Sequence, residues 1–315
     1  MEITCENTGI AQSAILSEKV KGNALSTSEE EYVACLLGKM NLDRVNRTSA
    51  PVVMKKGTYV SYIKRLLDFI IALAAFIIVS PVNIVLAVCT YFDVGSPIIF
   101  KQTRIGKNGK PFEIIKFRNM TNETDKDGKL LPASERVTKF GKFLRKYSLD
   151  ELMNFWSVIK GDMSLIGPRP LPLFFNERYS ERHKMRNVVR PGLECPRVLK
   201  NSEISKYHAQ FENDIWYVEN MGFLTDCYLV LQLVKMVFNV KYRSMGASSG
   251  SYFVGYDENG YATSMLKIRK THPEYLEAFN KIQEKEQRKE DDAGEDAVAE
   301  GVGSLGRGEK HVVAV

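Results

Sequence analysis

Residues Phe69 to Phe92 read FIIALAAFIIVSPVNIVLAVCTYF, 24 positions without a charged side chain. At 1.5 Å of rise per residue such a stretch makes about 36 Å of helix, enough to cross a hydrocarbon core of about 30 Å. The chain therefore belongs to a membrane. Ser80-Pro81 sits at the midpoint, with Asn83 just beyond. Proline there has no N–H to give the helix, and its ring crowds the carbonyl four residues back, so a kink or a turn is expected. Lys55, Lys56, Lys64 and Arg65 precede the stretch, and Lys101, Arg104, Lys107, Lys110, Lys116 and Arg118 follow it. Positive charge marks the cytoplasmic side, and here both ends carry it. A helix that enters, bends at Ser80-Pro81 and leaves by the same leaflet fits these flanks better than a straight span. A proline-kinked transmembrane helix is the alternative the pattern leaves open.

Beyond this stretch, PIIFKQTRI and PFEIIKF are rich in strand formers and flank Gly106 to Lys110, with Asn108-Gly109 at the tip. That is a hairpin signal. The Gly-Lys-Asn-Gly-Lys loop lacks the spacing of a phosphate-binding loop. From Glu135 to Tyr147, the residues Val137, Phe140, Phe143, Leu144 and Tyr147 recur at helical spacing among Lys139, Lys142, Arg145 and Lys146. A basic amphipathic helix of this kind either lies among lipid headgroups or packs its stripe on a core. Phe223 to Val240 is apolar on most faces but interrupted by Asp226, Gln232 and Lys235, which favours a second interfacial or core-facing helix over a second span.

The whole chain has 315 residues, 44% of them apolar and 26% charged, and a net charge of +6. This is a globular composition with room for one domain and extensions, or for two domains. Cys5, Cys35, Cys89, Cys195 and Cys227 show no C-x-x-C spacing, and His183, His208, His272 and His311 form no metal-spaced pair. A disulfide scaffold, a zinc module and a thioredoxin-like site are thus disfavoured. No secretory signal is visible in the first residues, so a reducing cytosolic face is the expectation. Residues 1–57 are polar with one apolar patch, Tyr32 to Leu37, and are expected to form an extension with one short helix. Residues 246–315 form a C-terminal extension, charged and then Gly-rich, expected to be disordered after about residue 285.

The chemistry concentrates in SLDELMNFWSVIKGDMSLIGPRP, Ser148 to Pro170. Ser148 followed by Glu151 three residues later has the pattern of a capping box. Asp150 beside Glu151 would repel it unless something cationic lies near: a helix N-terminus, a phosphate-bound divalent ion such as Mg²⁺, or both. Arg169, held between Pro168 and Pro170, suits bidentate phosphate recognition or a salt bridge to Asp162 or Glu151. Lys116, Arg118, Arg145 and Arg190 add basic side chains. Carboxylates, a metal and cations beside a membrane helix suggest chemistry on a lipid-carried phosphate. A nucleic-acid binder is disfavoured, because the basic residues flank an apolar segment and carry no nucleic-acid motif.

The order KRLLDFIIA, SP, GSPIIFKQTRIGKNGKPFEIIKFRNM, LRKYSLDELMNFWSVIKGDMSLIGPRPLP and VRPG resembles the bacterial sugar transferase family, the monotopic polyprenyl-phosphate phosphoglycosyl transferases, from about Tyr62 to Met245. The resemblance implies an α+β monotopic membrane protein. Its parts would be a re-entrant helix (66–92) broken at Ser80-Pro81, a small β-hairpin, and interfacial amphipathic helices around a cytosolic catalytic core spanning 58–245. It implies a catalytic, metal-holding dyad, Asp150 and Glu151, with Mg²⁺ as cofactor. The Asp would attack the β-phosphate of a UDP-sugar, releasing UMP, and undecaprenyl phosphate would then collect the phosphosugar. Lys116, Arg118, Arg145, Arg169 and Arg190 are the candidate phosphate-binding residues. Partners would be the UDP-sugar, undecaprenyl phosphate and inner-membrane lipid, with no nucleic acid and with room for a homo-oligomer. The setting would be the cytosolic face of a bacterial cytoplasmic membrane, at the start of surface polysaccharide assembly. The chain departs from the family pattern after Gly192, reading Leu193-Glu194-Cys195-Pro196-Arg197, and has Asn119, Asn154 and Ser157 where Thr, Gln and Asn are usual. The altered loop motivates a second reading, a catalytically weakened partner of other glycan-assembly proteins.

Overall fold

The computed structural model describes residues 27–199 except 127 and 129, residues 205–238, and residues 251–288 except 286. The expected disorder of the tail falls, from residue 289 onward, outside the described residues. The chain divides into two compact units, residues 1–265 and 266–315. The second, as far as described, is helical over 266–271 and 273–285.

The first unit opens with α1 (Ser28–Leu37), a π turn (Gly38–Leu42) and α2 (Asp43–Thr48). Thr27 starts α1 with a true capping box: its Oγ1 accepts the Glu30 N–H at 3.3 Å, and Glu30 Oε2 accepts the Thr27 N–H at 3.2 Å. The apolar patch at Tyr32 to Leu37 therefore does form a helix, and Val33, Ala34, Leu36, Leu37 and Val45 are buried.

A second π turn (Tyr59–Ile63) leads into α3 (Lys64–Val94), 31 residues long. Together they are long and apolar enough to cross a membrane. Helical structure continues through Ser80-Pro81, so the pair does not divide α3 into two elements. Ser80 Oγ donates to the Phe76 carbonyl at 2.6 Å, a local hydrogen bond one residue before the proline, whose own backbone can donate none. Both halves of α3 pack on the same body. Ala72 joins Ile114, Val158 and Met163 in one cluster, and Leu86 joins Phe117 and Leu144 in another. The opposite face is open, with Ile77 63% and Ile78 75% exposed.

The hairpin follows, β1 (Ile99–Ile105) antiparallel to β2 (Pro111–Phe117), with Ile99 opposite Phe117 and Ile105 opposite Pro111. Asn108 and Gly109 turn the tip with φ of 57° and 76°, as the Asn-Gly signal implies. Next come α4 (Ala133–Arg136), α5 (Lys139–Tyr147), α6 (Asn154–Lys160), β3 (Ser164–Ile166), α7 (Glu181–Lys184) and β4 (Gly192–Glu194), which pairs parallel to β3. Helices α8 (Lys206–Asn220) and α9 (Phe223–Phe238) and the hairpin β5 (Phe253–Tyr256) and β6 (Ala262–Ser264) complete the first unit, and α10 (Met265–Thr271) belongs but for its first residue to the second. Each sheet has two strands, so the fold is mixed helix and sheet with small sheets.

The amphipathic segment is divided differently from the expectation: Thr138, not Glu135, starts the helix, with its Oγ1 accepting the Gly141 N–H at 2.7 Å. Leu144 is buried, while Phe143 and Tyr147 stay exposed. In α9, Phe223, Leu224, Tyr228 and Leu231 are exposed, whereas Asp226 turns inward to Lys64 Nζ at 2.8 Å, Tyr59 OH at 2.5 Å and Tyr217 OH at 2.8 Å. The charge that interrupts the apolar run thus ties α9 to the start of α3.

Candidate active site

Strand β2, the end of α5 and the turn after it bring the carboxylates and cations together. Gly141 allows this approach: a Cβ there would meet the Asn119 carbonyl oxygen at 2.1 Å, so only glycine lets α5 press against the segment after β2. Ser148 then takes the left-handed conformation (φ 55°, ψ 27°), its N–H closing α5, and the chain turns at once into a 3₁₀ turn, Leu149–Glu151. The expected Ser148–Glu151 capping box does not form. Ser148 makes no side-chain cap, because its backbone is spent on ending α5, and the Glu151 side chain points to cations instead.

Asp150 is buried, and its Oδ2 accepts from Asn119 Nδ2 at 3.0 Å. Asn119 Oδ1 in turn accepts from Arg145 Nη2 at 2.9 Å, so the guanidinium holds the amide and the amide holds the carboxylate. Glu151 Oε1 accepts from both Lys116 Nζ at 2.6 Å and Arg169 Nη2 at 2.7 Å. The two neighbouring carboxylates therefore face separate partners, which relieves their repulsion. Burial pushes the Asp150 carboxyl above its ordinary range, opposed mainly by Lys116. Burial acts the same way on Glu151, but Arg169 and Lys116 outweigh it and hold this carboxyl at about 2. Burial lowers the Lys116 ammonium, with Glu151 opposing. One carboxylate is thus firmly ionised and committed to cations, while the other is desolvated and held by a neutral amide.

Arg169 has a second carboxylate as well, Glu194 Oε2 at 3.2 Å from Nη1. Of its two expected ion-pair partners it takes Glu151, while Asp162 pairs with Lys160 at 2.8 Å. Lys116, Arg145 and Arg169 stand around the dyad. Arg118 and Arg190 are turned to backbone: Arg118 donates to the carbonyls of Gly95 and Ser96 at 3.0 and 3.2 Å, and Arg190 Nε to Gly161 O at 2.9 Å. Arg118 thereby secures the foot of α3. Asn119, Asn154 and Glu194 gained no role from the sequence. Asn154 Oδ1 accepts the Ile115 N–H at 3.2 Å, fastening α6 to β2. The available signal was that all three depart from an otherwise closely followed motif.

Among the described residues no group of three or more His, Cys, Asp and Glu side chains is placed to hold a metal. Asp150 and Glu151 offer two adjacent hard oxygen donors. Mg²⁺ takes hard oxygen donors of this kind and few protein ligands, although Glu151 Oε1 is here shared by Lys116 and Arg169.

A helix of membrane-crossing length packs on a body of helices and small sheets that brings two adjacent carboxylates and several cations together. Residues 59–240 match the bacterial sugar transferase family, and the chain belongs to it. It is 38% identical over 175 residues to an uncharacterized sugar transferase of Bacillus subtilis, covering 56% of this chain and 87% of that protein. It is 35% identical over 182 residues to the UDP-glucose:undecaprenyl-phosphate glucose-1-phosphate transferase of Klebsiella pneumoniae, covering 54% and 39%. It is also 30% identical over 210 residues to a UDP-N-acetylgalactosamine-undecaprenyl-phosphate N-acetylgalactosaminephosphotransferase of Aeromonas hydrophila, covering 64% and 49%. The chain spans less than half the length of these two substrate-named relatives.

Proposed function

We propose that the protein transfers a sugar-1-phosphate from a UDP-sugar to undecaprenyl phosphate, releasing UMP, and so starts a surface polysaccharide or glycoconjugate. The observation that carries this reading is the split dyad: a buried Asp150 oriented by Asn119 and Arg145 beside a Glu151 fixed by Lys116 and Arg169. The substrates named for the relatives support the choice of donor and acceptor.

In the first step an Asp150 carboxylate oxygen attacks the β-phosphorus of the UDP-sugar. The bond from that phosphorus to the bridging oxygen breaks, and UMP leaves with the electron pair. A phosphosugar remains on the carboxylate as an acyl phosphate. In the second step a phosphate oxygen of the lipid attacks the same phosphorus, the Asp150 bond breaks, and the diphosphate-linked sugar forms. Both nucleophiles are anions, so neither step needs a proton removed. Desolvation raises the basicity of Asp150 and with it its nucleophilicity. Lys116 and Arg169 offset the charge that spreads over the transferring oxygens. Mg²⁺, held by Asp150 and Glu151, would supply further charge neutralisation and leaving-group stabilisation.

Re-entrance of α3 belongs to the same proposal. Arg65 donates to the Val158 and Ile159 carbonyls at 2.6 and 2.8 Å, and Asp68 Oδ2 accepts from Ser164 Oγ at 2.7 Å. Near the other end, Asp93 Oδ2 accepts from Thr138 Oγ1 at 2.6 Å and Arg118 holds Gly95 and Ser96. Both ends are fastened to one body, which supports a helix that dips into the bilayer and returns. The basic flanks favour the cytosolic leaflet. The test is incubation of the detergent-purified chain with undecaprenyl phosphate, Mg²⁺ and a panel of UDP-sugars. Release of UMP with lipid-linked sugar supports the proposal; release of UDP, or no release with any donor, counts against it.

A further inference from the structure

The segments 166–170 and 190–194 lie backbone against backbone. A Cβ on Gly192 would meet Gly167 N at 2.2 Å, and one on Gly167 would meet Arg190 O at 2.7 Å, so both positions require glycine. The same approach places Ile166 opposite Glu194 across β3 and β4, which delivers the Glu194 carboxylate to the arginine just after Pro168. Arg169 then carries a carboxylate on each terminal nitrogen, Glu151 at 2.7 Å on Nη2 and Glu194 at 3.2 Å on Nη1. Glu194 is steadied from behind, its Oε1 accepting the Cys195 N–H at 3.2 Å. The arginine's main chain is steadied too, with Arg186 Nη2 donating to Arg169 O at 2.9 Å.

A guanidinium recognises a phosphate through its terminal N–H groups. Glu151 holds the Nη2 end of Arg169 at 2.7 Å and Glu194 the Nη1 end at the longer distance of 3.2 Å, so Glu194 is the weaker of the two carboxylate contacts that stand against an incoming diphosphate. We infer that Glu194 is a latch on Arg169, a carboxylate that the donor's diphosphate must displace, so that it sets affinity for the nucleotide sugar and leaves the chemical step alone. This rests on the proposed role of Arg169 in binding phosphate. It also gives a reason for the departure after Gly192: Lys116, Arg145 and Arg169 are balanced by Asp150, Glu151 and Glu194, and removal of Glu194 leaves the cluster one positive charge in excess. The Arg169 side chain is 40% exposed and that of Glu194 33%, and an ion pair in such a setting changes affinity by about two- to fivefold.

The experiment measures pyrophosphate binding to the full chain in detergent by calorimetry, together with KM and kcat for UMP release. Glu194→Gln should bind pyrophosphate about two- to fivefold more tightly than the parent, with KM for the UDP-sugar falling by the same factor and kcat within about twofold. The gain should shrink as salt is raised, because the competition is between exposed charges. Glu194→Ser, which removes the reach as well as the charge, should reproduce it. Glu113→Gln, which breaks an exposed pair with Lys101 on the hairpin, controls for net charge and should behave as the parent. Unchanged or weaker binding in both Glu194 variants overturns the latch, and so does an equal gain in Glu113→Gln. If Arg169→Gln binds pyrophosphate as well as the parent, the phosphate-binding role of Arg169 falls and the latch with it. Loss of binding in Arg169→Gln without a gain in the Glu194 variants removes the latch alone.

Discussion

A serine at φ 55° is where α5 stops and the turn that carries Asp150 and Glu151 begins. The left-handed region costs a non-glycine residue about 1–2 kcal/mol, and more where the side chain is β-branched. Ser148→Gly should therefore hold or raise the denaturation midpoint, whereas Ser148→Val should fall at least about 1–2 kcal/mol below the glycine variant and misplace Asp150, seen as a fall in kcat. Equal stability in the two variants would remove the backbone argument. Asp150→Asn keeps the shape and the contact with Asn119 but cannot attack phosphorus. UMP release should drop on the order of 10³-fold or more, with membrane association and thermal midpoint unchanged. Full activity in that variant would exclude Asp150 as the nucleophile. The carboxylates themselves were legible as adjacent charges, since two acids side by side demand a cation. Asn119 was not. Its importance comes from Gly141 and Arg145 closing on it across some 20 residues, a tertiary contact that local pattern does not encode. The capping box failed for the same kind of reason, because two cations distant in sequence outcompete a local backbone hydrogen bond for Glu151.

At the scale of the element, α3 announces itself by 24 uncharged positions, a signal set by the solvent it must enter. The hairpin was equally legible, since Asn108-Gly109 specifies the turn through backbone conformation alone. What the apolar run could not show is the fastening of the helix at both ends. Arg65 and Asp68 look like ordinary flanking charges in the sequence, yet they hold carbonyls and a serine nearly a hundred residues away. Ser80-Pro81 is the point at which α3 gives up a backbone donor, so replacing it by Ala-Leu should restore the full ladder and favour a straight span. Cysteines introduced at residues 55 and 105 should both be labelled from the cytosolic side in the parent. In the Ala-Leu variant part of the population should expose residue 55 on the far side. Opposite sides in the parent would refute re-entrance, and an unchanged pattern in the variant would remove the pair's role in it.

The whole molecule is more than the family's catalytic region. The match ends at residues 59 and 240, but α1, α2 and the β5–β6 hairpin, read from sequence as parts of two separate extensions, meet one another. Asn41 Nδ2 donates to Tyr256 O at 2.9 Å, and Gly255 at φ 138° brings its backbone close to Leu37, where a Cβ would lie 3.1 Å from that side chain. Arg178 joins them to the catalytic body through Phe253 O at 2.8 Å and an ion pair with Glu31. No periodicity reveals such a pairing, because the partners lie some 200 residues apart and each alone buries little. In the proposed route this body lies on one side of the bilayer, and a water-soluble donor and a lipid acceptor would reach Asp150 from different phases and in turn. The first half-reaction does not need the lipid. Enzyme, Mg²⁺ and the right UDP-sugar alone should release up to about one UMP per active site and then stall, leaving a sugar label on the protein. Addition of undecaprenyl phosphate should discharge the label into lipid and restart release, with parallel double-reciprocal plots against the two substrates. The label should be absent from Asp150→Asn and present in Glu194→Gln, since only the first lacks a nucleophile. Intersecting plots with no labelled protein, from an active enzyme, would mean that the lipid phosphate attacks the donor directly in a ternary complex, and Asp150 would then act as a metal ligand.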